Sequence, residues 1–159
     1  MTGSLLYPLN TLKVLYPTLY QSKVKKYDDR TQLLKHRLPV LGCLWNDVIF
    51  LTAVHPAKIH AALVEAGFGR TGTLRSFQFE ARHINARKSL VLLEKEGVGR
   101  VYDYFDPRRV DEYDLVPDAT TQYHHRQKRL GKRTMVVPYI PHILYQGTLD
   151  ITGVPIVEG

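Results

Sequence analysis

The stretch DVIFLTAVHPAKIHAALVEAG, residues 47–67, constrains the fold more than any other part of the chain. Its opening, DVIFLTAV, lacks polar alternation, which is the pattern of a strand covered on both faces. Pro56 then stands at the position where a first helical turn tolerates proline, because the amide it lacks has no intrahelical partner there. Ile59, Ala62, Leu63 and Ala66 recur along a single helical stripe. Gly67 follows, where a left-handed residue ends a helix at least cost. A strand and then a helix are expected here.

The same glycine opens Gly67-Phe68-Gly69-Arg70-Thr71-Gly72, a G-x-G-x-x-G spelling that invites a dinucleotide-binding reading. Such a loop must leave a strand and open a helix, so that helix-start amides meet a phosphate. Here the glycines leave a helix and run into SFQFEARHI, a strand-like alternation of Phe77, Phe79 and Ala81. The nearby helix end offers carbonyl groups, which repel anions. The loop is read as a helix stop plus a turn, and no cofactor is expected.

The remaining elements follow from similar signals. PTLYQSKVKKY predicts a short helix begun by Pro17, and residues 29–37 predict a second, ended by Pro39. SLVLLE and VGRVYDYF predict a hairpin across Gly97 and Gly99. Asp118 is a suitable N-cap for a helix over residues 119–130, with Gly131 as its stop. On that helix only Tyr123 and Leu130 offer clear apolar contacts, which marks it as a surface helix. TMVVPYIPHILYQGTLDI predicts two extended segments, with Pro138 and Pro141 keeping part of it at a sheet edge or bend. In the second, Ile143, Tyr145, Leu149 and Ile151 share a face opposite His142, Gln146, Thr148 and Asp150 with a single Leu144, which reads as a strand buried on one side. Helices early and strands late, with one helix interposed, predict a single α+β domain with a mainly antiparallel sheet.

At 159 residues with 44 % hydrophobic and 23 % charged content, the chain can bury a core and is not of disordered composition. No apolar run approaches the ~20 residues of a membrane span, and the start lacks a secretory pattern. Cys43 is the only cysteine, so no internal disulfide forms and a reduced, cytoplasmic setting is expected. The formal charge is +7, an excess that favours nucleic acid, another phosphate-bearing polyanion, or an acidic protein partner. The charge is segregated late in the chain: DEYDLVPD is purely acidic and HHRQKRLGKR purely basic.

That basic run, Arg126, Lys128, Arg129, Lys132 and Arg133, is the leading candidate site, able to neutralise several phosphates in a sequence-tolerant way. Its structural alternative is a solvated helix end whose cations complement the macrodipole. Among the strand-like tyrosines, Tyr102, Tyr104, Tyr139 and Tyr145, the first two are chosen as stacking surfaces for bases. Arg70 is a further phosphate candidate. A different class of function, a small enzyme on a nucleotide-type substrate, would place His55 in a cleft with Arg70 or Arg82 on its phosphates. The competing role for His55 is a cap on the helix that Pro56 opens. Cys43 with His55 and Asp47 has no motif to bring it together and reads as a buried thiol. The spacings of the seven histidines place no pair on one helix face, so no metal site is expected.

Overall fold

A computed structural model describes residues 3–69, 73–95 and 97–159. In chain order its elements are β1 (Leu5–Leu6), α1 (Leu9–Leu15), α2 (Pro17–Val24), β2 (Val48–Leu51), α3 (Pro56–Glu65), β3 (Arg75–Phe77), β4 (Ser89–Lys95), β5 (Gly99–Tyr104), α4 (Asp118–Arg129), β6 (His142–Gln146), β7 (Leu149–Asp150) and β8 (Ile156–Glu158). The main sheet runs β2-β6-β4-β5, and the pairs β1-β7 and β3-β8 form two small ribbons. Every described strand pair is antiparallel. The α+β class expected from the sequence is the class observed.

The main sheet is covered on both faces. Register aligns Phe50, Leu144 and Leu90 across three strands, and these pack with Trp45, Leu38, Leu33 and Tyr27 from the N-terminal segment. The opposite face carries Val91 and Ile143, which pack with Ile84, Phe105 and Tyr113. Burying each such aliphatic side chain contributes about 1.5–3 kcal/mol. A third cluster joins Ile59 and Leu63 of α3 to Val54 and Ile140. The stripe predicted for α3 is the stripe buried, with Leu63 fully enclosed and Ala66 closing the helix.

Several sequence expectations are corrected. The long last strand is two, because Gly147 at φ 115° breaks it. β6 lies inside the sheet, so Leu144 on its supposedly polar face is fully buried. DVIFLTAV is a strand only over Val48–Leu51, since Thr52 turns the chain by accepting from the Val54 amide at 3.1 Å. SFQFEARHI keeps strand form only to Phe77 and then makes a 3₁₀ turn at Ala81–His83. The helix expected over residues 29–37 is a five-residue 3₁₀ turn, Thr31–Lys35. Helix α1 carries no start signal, and Pro8 holds its cap position without a side-chain bond. Of the two places open to Pro138, a sheet edge or a bend, the bend is the one observed.

Candidate polyanion-binding face

Helix α4 is positioned by polar residues on its inner side. Asp118 is its first residue rather than its cap, and Pro117 occupies the cap position. The fully buried Thr120 donates from Oγ1 to the Pro138 carbonyl at 2.6 Å. One turn later the fully buried His124 meets Thr134 Oγ1 through Nδ1 at 2.7 Å. That hydroxyl donates onward to the Met135 carbonyl at 3.1 Å, so the imidazole is the donor at Nδ1. Nε2 of His124 has no hydrogen-bond partner among the described residues, and the edges of Phe68 and Tyr123 flank the ring. Burial, and secondarily the charge of His125, holds the His124 pKa below its ordinary value of 6.5. The apolar contacts expected of Leu130 are not made, for this side chain is 57 % exposed.

Pinning the inner side orients the outer one. Tyr123 is braced edge-on by Tyr139, centroids 6.3 Å apart, and Tyr139 sits at φ 59°, a conformation that costs a non-glycine residue about 1–2 kcal/mol. The Arg126 guanidinium lies 5.8 Å from the Tyr123 ring centre. Lys128 covers Phe68 at 5.4 Å, its stem against Gly67. Tyr123, His125, Arg126 and Arg129 line one shallow groove of about 360 Å³ along the helix. The helix gives way at Gly131, φ 62°, and Lys132 and Arg133 follow before Thr134 is tied to His124.

Three of the upstream acids are held by other cations. Glu112 chelates Arg109, Asp106 chelates Arg108, and Asp114 pairs with Lys58 at 2.7 Å. Arg108 holds Asp106 down at about 2, and Arg109 lowers the Glu112 pKa. Among the described residues no ion pair joins an acid to Lys128, Arg129, Lys132 or Arg133.

Tyr102 lies on β5, packed into the first core cluster. Its hydroxyl is 2.8 Å from His36 Nε2, and its ring stacks on His36 beside Trp45, over which Arg100 sits at 4.8 Å. Tyr104, on the same strand, is 74 % exposed. Arg70 lies outside the described residues. Arg82 pairs with Glu80 at 2.6 Å. His55 caps α3, its Nδ1 accepting from the Ala57 amide at 3.2 Å, while its carbonyl takes the Lys58 and Ile59 amides. The helix start is thereby supplied from within the chain. Cys43 is buried, which pushes its thiol upward, and Asp47 is held by the Leu44 amide and Asn10. Among the described residues no group of three or more His, Cys, Asp or Glu could hold a metal ion, and no helix is long and apolar enough to cross a membrane.

The residues that tie α4 down, Thr120 and His124, carry no apolar signal in the sequence: they stand four apart, but both are polar. No family model, curated protein or solved structure matches the chain.

Proposed function

We propose that the protein binds a phosphate-bearing polyanion, a single-stranded nucleic acid, through the outer face of α4 and the turn after it, in a reduced cytoplasmic setting. The observation supporting this reading is the groove in which Tyr123, His125, Arg126 and Arg129 meet on a helix fixed from behind by Thr120 and His124. Arginine and lysine neutralise phosphates, and a ring at the same level offers a surface for a base. Of the upstream acids, Asp106, Glu112 and Asp114 are held by Arg108, Arg109 and Lys58. Tyr102 and Tyr104 stand on β5 rather than on α4, and Tyr102 is committed to His36.

The test is binding of fluorescent oligo-dT of about twenty nucleotides, measured by anisotropy across a salt series. With four phosphates neutralised, the slope of log K against log salt is expected near −3. A salt-independent affinity, or no binding at low salt, overturns the proposal. An acidic peptide of matched charge serves as the counter-probe. Tighter binding of that peptide than of the oligonucleotide would reassign the face to an acidic protein partner.

A further inference from the structure

A cleft of about 500 Å³ lies between the main sheet and the β3-β8 ribbon, away from the basic groove. One wall is formed by residues 49–56 without interruption, and the other by residues 76–79, again without interruption, together with Val157 of β8. Side chains alternate between the two faces of a strand, so a wall built from one face draws on every second residue. Along β2 the cleft touches Ile49 and Leu51, which belong to one core cluster, and also Phe50, which packs with the other. Only the edge of a strand borders both faces. One edge of β2 is occupied by β6, so the edge on the cleft is the free one.

The opposite wall has a parity that the hydrogen bonds fix. Leu74 and Gly159 exchange both main-chain bonds, at 3.1 and 3.0 Å, and the Gln78 amide donates to the Pro155 carbonyl at 2.9 Å. In an antiparallel pair bonded and non-bonded residues alternate. Residues 74, 76 and 78 therefore point their main-chain groups at β8, and Arg75, Phe77 and Phe79 point theirs away from it. Among the described residues β3 pairs with β8 alone, and the Phe79 amide makes no main-chain bond. Two strand edges thus line one cleft, and the apolar side chains there, Ile49, Leu51, Phe77 and Phe79, are only half-buried.

We propose that this cleft receives an extended peptide segment of a partner protein, which adds as a strand to the Phe77–Phe79 edge of the β3 ribbon. Strand addition takes its affinity from main-chain bonds and its selectivity from alternate side chains, here apolar ones meeting Ile49, Leu51 and Ile143. Charge sets the rest of the partner's chemistry. In a chain of formal charge +7, the described lining carries Asp111 and Asp114 and neither lysine nor arginine. Lys58 holds Asp114, whereas the exposed Asp111 makes no ion pair among the described residues. The partner segment is alternating apolar with a basic end. Residues of α4 take no part, so this site stands or falls apart from the polyanion face.

The probe is the peptide Arg-Val-Thr-Val-Thr-Val-Arg, whose charge also keeps it off the basic helix, added to the intact protein with amide hydrogen exchange followed by NMR. Saturating peptide is expected to slow exchange at Phe77 and Phe79 at least tenfold. Ser76 and Gln78, already turned to β8, should hardly change. Asp111→Lys should weaken binding about fivefold or more with the unliganded spectrum otherwise preserved. Binding without protection of Phe77 and Phe79 would mean cavity filling by side chains alone and overturns the proposal, as does no response at 1 mM peptide.

Discussion

Helices α2 and α4 both run into clusters of cations, Lys23, Lys25 and Lys26 in one case and Arg126, Lys128 and Arg129 in the other. By composition they are near equivalents. In the fold they are not: α2 buries none of its residues, whereas α4 encloses Thr120 and His124 completely. α2 leans mainly on α1, whose Val14 and Leu15 are 78 % and 54 % exposed. α4 is bonded through its inner side chains to the chain that returns past it. A charge cluster on a fixed frame loses less freedom on binding than one on a loosely held helix. The difference therefore lies in what stands behind the cations rather than in their number.

The comparison breaks first at His124. His124→Ala removes a buried ring and orphans Thr134, and it should cost about 2–4 kcal/mol in denaturant unfolding. Leu19→Ala, on the half-exposed side of α2, should cost less than about 1 kcal/mol. Equal losses would show that α2 is held as firmly as α4. Next in size is the charge test. Replacing Arg126, Lys128 and Arg129 together by alanine should weaken oligo-dT binding about ten- to a hundredfold and flatten the salt dependence. The matched set on the other helix, Lys23, Lys25 and Lys26, should weaken it less than about threefold. Equal effects would mean that the polyanion responds to net charge alone.

Acid provides a third contrast, for α4 contains a buried histidine and α2 contains none. The folded pKa of His124 lies below its ordinary 6.5, so the unfolded chain takes up the proton more readily. Stability is complete above about 6.5 and falls as pH drops through that value toward the lower folded one. His142, depressed mainly by burial although its contact with the Ile140 carbonyl opposes the shift, adds a loss of the same sign. Thermal unfolding at pH 7.5 and 5.5 should show the lower midpoint at 5.5, and His124→Gln should reduce the difference without abolishing it.

How far the sequence announces these features depends on whether the signal is local. The α3 stripe, the Pro56 start, the Gly67 stop and the β4-β5 hairpin are written in neighbouring residues, and each is found in place. The capping role of His55 was equally legible, because a histidine before Pro-Ala-Lys has helix-start amides within reach. Period-two alternation places Leu144 on a polar face because it cannot say that a strand will sit inside a sheet. Nothing near Tyr102 in sequence reveals its partner, because His36 is 66 residues away. Thr120 and His124 are hidden for the same reason, since a hydroxyl or imidazole becomes a core residue only when a separate segment supplies its partner. The basic run itself was plain, and the frame that orients it was not.

The smallest effect asks whether Lys132 and Arg133 belong to the same face. Gly131 ends α4 at φ 62° and has open space where a side chain would project, so substitution there acts on the backbone rather than through a clash. Gly131→Ala should cost about 1 kcal/mol, a shift of roughly 2–4 °C in a chain of this size. Helix α2 has no such glycine stop, running instead into the 3₁₀ turn Lys25–Tyr27, and this substitution therefore probes α4 alone. The left-handed residue sets the direction in which the two following cations depart, while Thr134 fixes where they end. If both cations contact the ligand, oligo-dT affinity should drop about two- to threefold in Gly131→Ala at a temperature where the variant stays folded. An unchanged affinity alongside the lowered midpoint would confine the site to the helix and leave Lys132 and Arg133 as solvated charges beyond its end.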